Sequence, residues 1–286
     1  MKMNWDIGQE DFETTLSRYE KYLNTQDLSR LTVKRYIKDL KMFLVFAKNS
    51  HPSISQAEEF RNHLIEEQVA PSSINTIFCS VKKFYGMYKE DFKFKALRVR
   101  NTIPYFFSEN EVMRIFDAAS HNIKHLAMLQ TLFYGCLRAN ELCNLEDRDL
   151  DLRAMTIRIR HGKGNREAVV LISPQCVSTL RRYLSIRPPM LINNKQYLFF
   201  TDYGHQWDRI GLYGMFRDIK KRAKITSYGM THTFSRHSPP TLMAKHGADA
   251  FVIQNIMRHS SIITTLRYTH VSEATKRAVY DKSLVI

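Results

Sequence analysis

The sequence predicts a mainly α-helical chain with a small antiparallel β-sheet, divided into a helical domain and an α+β domain. Apolar residues recur at helical spacing through roughly the first 90 residues, which is typical of amphipathic helices. One later segment, Met155 to Ile159, instead alternates apolar and polar residues, as a strand does. Helical spacing then resumes and continues towards the C-terminus, so the sheet is expected to be small.

Residues 1–88 are expected to form a compact helical bundle. Its second helix buries residues such as Val33 and Phe43 and carries Lys34 and Arg35 on its polar side. The third is expected to begin with a capping box, Ser55-x-x-Glu58, in which each side chain binds a free backbone N–H of the other residue. The fourth exposes a pair of lysines, Lys82 and Lys83. These basic faces can bind DNA phosphates. The alternative interpretation is that they form an ordinary solvated surface.

A basic linker is predicted over residues 89–107. Lys93, Lys95, Arg98 and Arg100 crowd together there, and Pro104 ends the stretch. We expect an extended segment that can follow a DNA backbone and let two domains close around a duplex. The second domain is expected over 108–270, with a tail over 271–286 that can contact another protomer.

The second domain opens with another predicted capping box, Ser108-x-x-Glu111. Helices are expected near 109–119, 123–135, 174–187 and 209–224. Between them, the strand over 155–159 turns at Gly162-Lys163-Gly164-Asn165 and returns over 168–172. This hairpin places Lys163 at its tip. An ordinary turn lysine is the alternative interpretation.

The overall charge favours a polyanionic partner. The chain holds 43 Lys and Arg against 28 Asp and Glu, a formal net charge of +15, and lysines and arginines that neutralise phosphates release condensed counterions. The four cysteines lack CxxC spacing, so buried thiols in a reducing compartment are expected rather than disulfides or a zinc site. With no signal peptide and no apolar run of about 20 residues, a cytoplasmic location is expected.

Three later segments carry the candidate functional residues of the second domain. Gly135-Cys136-Leu137-Arg138 is followed by Glu141-Leu142, and Arg138 and Glu141 are expected to share a helix face. Arg236 lies in Arg236-His237-Ser238. His259 precedes Tyr268 by nine residues, and Tyr268 is expected to lie on a late helix. In this order, and with Lys163 between the first two, the segments resemble those of the tyrosine recombinase family, which includes phage integrases and Xer proteins. The resemblance covers about residues 10 to 280.

The resemblance implies a core-binding domain and a catalytic domain that form a C-shaped clamp on duplex DNA. It implies cleavage and rejoining at a specific site through a 3′-phosphotyrosine, without metal or nucleotide cofactors. Family members act as four protomers on two sites, in some cases with accessory DNA-binding proteins. Because the chain begins directly with the helical domain, the resemblance favours the simpler Xer-like kind. The expected DNA contacts are Lys34, Arg35, Lys82, Lys83, Arg98, Arg100 and Arg166.

The expected roles follow from what each side chain can do. Arg138 and Arg236 offer planar, permanently charged forks that match phosphate oxygens. Tyr268 would attack phosphorus, and Lys163 would protonate the leaving 5′ oxygen. His259 would hydrogen-bond the phosphate, while Glu141 would orient the arginines.

Three departures from the family pattern raise structural questions. His232 lies four residues before Arg236, where the family usually has a histidine three before. Residues three and four apart on a helix are both neighbours, and a local bulge is a second way to bring His232 into the site, so His232 is the sixth candidate catalytic residue. Pro239-Pro240 either begins a helix or breaks one. Arg258 stands where the family often has glycine, so either the turn differs or Arg258 contacts DNA.

Two other functions remain open from the sequence. One is a DNA-binding protein of the same fold that has lost catalysis, and the other is a type IB topoisomerase. Integration, excision and resolution use the same residues, so the sequence does not choose among them.

Overall fold

The computed structural model describes residues 9–99, 104–160 and 167–268, together with 277, 280 and 281. The chain divides into two compact units, Met1–Asn101 and Thr102–Ile286. Helices dominate the described part of each unit, and a three-stranded antiparallel sheet lies in the second. The predicted fold class, mainly α with a small antiparallel sheet, is confirmed. None of the described helices is long and apolar enough to cross a bilayer.

Four helices form the described part of the first unit around an aromatic-rich core. They are α1 (Gln9–Asn24), α2 (Arg30–Ala47), α3 (Ile54–Glu66) and α4 (Pro71–Met87). The largest fully buried side chains are Tyr19, Leu23, Leu40, Phe43, Phe60, Phe78, Phe84 and Tyr85. The apolar residues recur at helical spacing because each helix turns one face towards this core. Burying one such side chain contributes about 1.5–3 kcal/mol to stability.

The start of α3 lies earlier than the sequence predicts. Ser53, not Ser55, is the N-cap, and it forms a capping box with Gln56. The Ser53 hydroxyl accepts from the Gln56 N–H at 3.3 Å, and the Gln56 side chain accepts from the Ser53 N–H at 3.0 Å. The expected Ser55–Glu58 box is therefore wrong, because Ser55 already lies inside the first helical turn.

Residues 90–99 pack along the first unit without regular secondary structure. Phe92 is buried in the core of that unit. The Asn75 side chain holds the backbone of Leu97 through two hydrogen bonds, of 2.9 Å to its carbonyl and 2.8 Å from its N–H. The beginning of the predicted basic linker is thus anchored to the helical unit, and Arg98 is exposed there.

The second unit contains eight α-helices in its described residues. They are α5 (Glu109–Ala119), α6 (Ile123–Tyr134), α7 (Ala139–Cys143), α8 (Pro174–Ile186), α9 (Arg209–Arg222), α10 (Ser238–Lys245), α11 (Ala250–Met257) and α12 (Ile262–Leu266). The predicted capping box before α5 is confirmed, since Ser108 and Glu111 each bind the other's backbone N–H. Four of these helices, α5, α6, α8 and α9, match their predicted ranges to within two residues.

The sheet contains the predicted hairpin and one further strand. β2 (Thr156–Ile159) pairs with β3 (Ala168–Leu171), with Ile157 opposite Val170. β1 (Leu150–Asp151) adds to the other side of β2 in antiparallel register. Two residues are too few to show alternation, so the sequence gives no signal for β1. The hairpin tip, with Lys163 and Arg166, lies outside the described residues.

A π-helical turn, Thr233–His237, leads directly into α10. Pro239 and Pro240 occupy the first turn of α10, where no intrahelical N–H bond is lost. Ser238 secures the junction, because its hydroxyl donates to the Thr233 carbonyl at 2.9 Å and accepts from the Phe107 N–H at 2.9 Å. The prolines therefore begin a helix rather than break one.

Candidate active site

Arg138 is placed by a tight turn between α6 and α7. Cys136, in this turn, has a left-handed backbone with φ of 47°, and Arg138 is the N-cap residue of α7. The backbone N–H of Arg138 donates to Glu141 at 2.9 Å, and its Nη1 donates to the same carboxylate at 2.8 Å. The pairing of Arg138 with Glu141 is as expected, although Arg138 precedes the helix instead of sharing its face.

Glu141 links two arginines in the interior of the unit. Its side chain is 3% exposed, and besides Arg138 it accepts a hydrogen bond from Arg258 Nη2 at 2.8 Å. Burial alone would raise the pKa of Glu141, but the bonds from Arg258 and Arg138 outweigh burial and lower it. The carboxylate therefore remains ionised between the two guanidinium groups.

Arg258 ends α11 in a left-handed conformation, with φ of 55°. The turn thus has the positive φ that favours glycine, and it does not differ from what the family pattern implies. The Arg258 side chain is turned inward, where Nη2 also donates to the Cys136 carbonyl at 3.1 Å. The sequence left two possibilities, that the turn differs or that Arg258 contacts DNA. The first is wrong. In the structure, the Arg258 side chain contacts protein groups.

Arg236 lies in the π-helical turn and is 4% exposed. Its Nη1 donates to the Cys136 carbonyl at 2.7 Å and its Nη2 to the Met257 carbonyl at 2.6 Å. Burial, with a smaller effect from Arg138, lowers the pKa of Arg236 to about 10, so the guanidinium is still charged at neutral pH. The guanidinium carries five N–H donors, and these two bonds use two of them.

Tyr268 lies two residues after the end of α12, not within a helix as the sequence suggested. It is 6% exposed, and its hydroxyl is 2.7 Å from Nδ1 of His237. Burial raises the pKa of Tyr268, and the positive charges of Arg267 and Arg236 oppose that rise. The hydroxyl is therefore protonated before any reaction.

Three histidines surround the tyrosine and the arginines. The His259 ring stacks near Tyr268, with ring centres 6.2 Å apart, and its Nδ1 is 2.9 Å from the Thr265 hydroxyl. The His232 ring meets the His237 ring edge to face, with centres 4.9 Å apart. Burial is the main cause that lowers the pKa of His237 and of His259 to about 4, so both rings are neutral at neutral pH.

The structure brings together five of the six predicted catalytic residues. Arg138, Arg236, His259 and Tyr268 lie in one cluster. His232 lies next to this cluster, directly before the π-helical turn, where it contacts the His237 ring and is close to both arginines. Lys163 lies outside the described residues.

Sequence reasoning assigned no role to His237, which contacts the tyrosine hydroxyl. Its position next to Arg236 in the sequence was the one feature that could have pointed to the active site. The partner of His237, however, lies 31 residues away along the chain.

The predicted DNA contacts lie on both units. In the first unit, Lys34, Arg35, Lys82 and Arg98 are exposed, while Lys83 is half-buried and donates to the Gln26 side chain at 3.1 Å. Arg35 pairs with Asp39 at 3.4 Å, which takes up part of its charge. Arg100 and Arg166 lie outside the described residues.

Comparison with known families matches both parts of the chain. Residues 105–275 match the phage integrase family, and residues 16–91 match the phage integrase N-terminal SAM-like domain. A helical unit followed by a unit in which arginines, histidines and a tyrosine cluster defines a class of DNA strand-transferring enzymes. The chain belongs to the phage integrase family, and it is a tyrosine recombinase.

Individual relatives agree with this assignment over nearly their full lengths. Tyrosine recombinase XerA of Pyrococcus horikoshii is 28% identical over 289 residues, covering 100% of this chain and 98% of that protein. Tyrosine recombinase XerC of Staphylococcus carnosus is 28% identical over 273 residues, covering 88% of this chain and 90% of that protein.

Solved structures share the fold. A crystal structure of XerA recombinase has a TM-score of 0.56 at 28% identity, and it covers 96% of this chain and 99% of that one. The Tn1549 transposon integrase in complex with transposon right-end DNA has a TM-score of 0.72 at 21% identity, over 95% of this chain and 99% of that one. At that identity the second likeness bears on the fold alone.

Proposed function

We propose that this recombinase cuts duplex DNA at a specific site and rejoins it through a 3′-phosphotyrosine at Tyr268. The observation that carries the proposal is the position of the Tyr268 hydroxyl. It is buried beside Arg236 and hydrogen-bonded at 2.7 Å to a neutral imidazole. A phenol in a cationic pocket, next to a proton acceptor, is the arrangement that a tyrosine nucleophile requires.

The pocket carries more positive than negative charge. This excess suits a phosphodiester, on which negative charge grows during attack. Arg138 and Arg258 both pair with the Glu141 carboxylate, and Arg236 lies close enough to feel its charge. Arg138, 30% exposed, and the remaining N–H groups of Arg236 would clamp the phosphoryl oxygens. By analogy with an oxyanion-hole donor, one such contact stabilises the transition state by about 2.7–4 kcal/mol.

His259 would supply a neutral donor to the same phosphate. With Nδ1 bound to the Thr265 hydroxyl, its Nε2 carries the proton when the threonine donates. Lys163, on the hairpin that follows β2, would protonate the leaving 5′ oxygen. These roles rest on residue chemistry and on the family pattern.

Binding to double-stranded DNA would involve both units. We assign the core-binding domain to 1–88, a basic linker to 89–107, the catalytic domain to 108–270 and a tail to 271–286. Lys34, Arg35, Lys82, Lys83, Arg98, Arg100 and Arg166 would neutralise phosphates. Relatives solved with DNA include XerH bound to its difH substrate and lambda integrase bound to a core site. Such a substrate would place the reaction in the cytoplasm.

We further propose that four protomers act on two sites. Apolar side chains on α11 and α12 are exposed, with Phe251 at 65% and Ile263 at 69%. The tail of a neighbouring copy is the occupant that this surface suits, because the 16-residue tail follows shortly after α12 along the chain. Accessory DNA-binding proteins could add to such an assembly.

The proposal is tested by covalent trapping. The protein is incubated with a library of nicked duplexes, and SDS-resistant protein–DNA adducts are scored and sequenced. We expect adducts at one family of sites with the native chain and none with Tyr268→Phe. Tight binding without adducts at any site would overturn the proposal in favour of a DNA-binding protein. Relaxation of supercoiled plasmid without site preference would instead indicate a type IB topoisomerase.

A further inference from the structure

The residue that contacts the tyrosine hydroxyl is not the one that the family pattern indicates. Nδ1 of His237 is 2.7 Å from the Tyr268 oxygen. His232, four residues before Arg236, contacts the His237 ring instead. His259 stacks near the tyrosine ring, while its Nδ1 is engaged by Thr265. Among the described side chains, His237 is therefore the imidazole in hydrogen-bond contact with the nucleophile.

The direction of this hydrogen bond follows from the ionisation of both groups. His237 is neutral, because burial first, and then His232, Arg267 and Arg236, lower its pKa to about 4. Tyr268 is protonated, because burial raises its pKa. The Tyr268 hydroxyl therefore donates and Nδ1 accepts, which leaves the ring proton of His237 on Nε2. A nitrogen in this state is ready to take the phenolic proton.

Hydrogen bonds and the local backbone hold His237 in this position. The ring belongs to the last residue of the π-helical turn, and the His237 carbonyl accepts from the Thr241 hydroxyl at 2.8 Å. The next residue, Ser238, is fully buried and tied to Thr233 and Phe107. Pro239 and Pro240 then restrict the backbone that follows. This rigidity preorganises the imidazole against the hydroxyl.

We propose that His237, rather than His232, takes the proton of Tyr268 during DNA cleavage; this inference rests on the proposed function of the site. As the bond from the tyrosine oxygen to phosphorus forms, the phenolic proton moves to Nδ1 of His237. The bond from phosphorus to the 5′ oxygen breaks, and that oxygen takes a proton from the general acid, for which Lys163 is the candidate. Rejoining reverses each transfer, so protons and charge balance.

Binding of DNA helps this transfer. A phosphate brings negative charge close to His237, which favours the imidazolium form and offsets the nearby positive charges of Arg236 and Arg267. The new imidazolium then faces the phosphotyrosine oxygen, where it can return the proton when the 5′ hydroxyl attacks. One residue thus serves both directions of a reversible reaction.

The test compares single substitutions in adduct formation on the duplex recovered by trapping. In His237→Asn, the amide oxygen can still accept from Tyr268 but cannot take its proton. We expect the rate of adduct formation to fall by about 10²–10⁴-fold, which is the usual contribution of a general base. His232→Asn should lose much less. His246→Asn, an exposed histidine paired with Glu109, is the matched control and should react as the native chain does.

A second measurement separates proton transfer from mere positioning. A difluorinated tyrosine at position 268 ionises more readily, so it should restore at least about tenfold of the rate lost in His237→Asn. If His237→Asn reacts at the native rate, or if His232→Asn loses more than His237→Asn, the inference is overturned. Failure of the fluorinated tyrosine to restore any rate also overturns it. Absence of adducts with the native chain would instead contradict the proposed function itself.

A third measurement does not depend on a folded His237 variant. The histidine side-chain nitrogens of the native chain and of Tyr268→Phe are compared by nitrogen-15 NMR. Loss of the tyrosine hydroxyl should move one Nδ1 resonance, that of His237, away from the shift of a hydrogen-bonded acceptor. An unchanged Nδ1 pattern in Tyr268→Phe would contradict the hydrogen bond on which the proposal depends.

Discussion

Arg258 and Glu141 form a buried ion pair, with Nη2 of the arginine 2.8 Å from Oε2 of the glutamate. The backbone of Arg258 is left-handed, with φ of 55°, at a position where the family pattern often has glycine. A non-glycine residue in this conformation costs about 1–2 kcal/mol. The pairing of Arg258 with Glu141, which also binds Arg138, offsets that strain and joins α7 to the end of α11.

Arg258→Gly should therefore destabilise the chain, although it relieves the strain. Removing one partner of a buried pair costs about 3–5 kcal/mol, so the net loss should be about 1–4 kcal/mol, measured by denaturant unfolding. Lys48→Gly is the matched control, because Lys48 ends α2 with φ of 50° and is exposed. That change should stabilise the chain slightly. A stabilising Arg258→Gly would show that the ion pair contributes little.

Glu141 should make stability dependent on acid pH. Its folded-state pKa is lowered, because the bonds from Arg258 and Arg138 outweigh the effect of burial. The resulting stabilisation is fully present above the unfolded-state pKa of about 4.3 and is lost as pH falls through the lower folded-state value. Thermal unfolding of the native chain and Glu141→Gln, measured between about pH 3 and 6, should give midpoints that converge on acidification. A constant difference between the midpoints would contradict the ionised Glu141.

Substitution of the two catalytic arginines should lower the stability of the chain by different amounts. Arg236→Ala removes the side-chain donor to the Met257 carbonyl and one of the two arginine donors to the Cys136 carbonyl, and a buried group left unsatisfied costs about 1–3 kcal/mol. Arg138→Ala removes a side chain that is 30% exposed and should destabilise the chain less. Both should slow adduct formation by about 10²-fold or more, through loss of phosphate contacts. Equal loss of stability in the two variants would contradict the placement of Arg236.

Salt dependence of DNA binding tests the basic residues of the first unit. Each phosphate contact that is lost should reduce the slope of log affinity against log salt by about 0.9. Lys34→Ala and Lys82→Ala should each show this change when binding to the trapped duplex is measured at several salt concentrations. Arg35→Ala should change the slope less, because Arg35 already pairs with Asp39. An unaltered slope in all three variants would remove these residues from the DNA interface.

The sequence predicts the helices well because their apolar spacing reports directly on burial. The capping box of Ser108 and Glu111 also follows from a local pattern, and it is confirmed. The similar Ser55–Glu58 pattern is wrong, since two nearby serines satisfy the same rule and only packing selects Ser53. A local sequence pattern therefore predicts whether a segment is a helix more reliably than it predicts the residue at which the helix begins.

The geometry of the site depends on contacts that no local pattern records. Neither the hydrogen bond between His237 and Tyr268 nor the inward turn of Arg258 towards Glu141 follows from residue spacing. Each forms between residues distant in sequence, 31 and 117 positions apart. The one-residue shift of His232 left a local bulge as one of two alternatives, and the structure has a π-helical turn directly after His232. The position of Tyr268 beyond α12 was predicted incorrectly, because α12 is only five residues long.

The most direct measurement of the central claim is mass spectrometry of the trapped adduct. After digestion of protein and DNA, the residue that carries the nucleotide is identified by fragmentation. We predict the modification on Tyr268, with the DNA joined through its 3′ phosphate. A nucleotide on any other of the 14 tyrosines, or a 5′ linkage, would contradict the assignment of Tyr268 as the nucleophile.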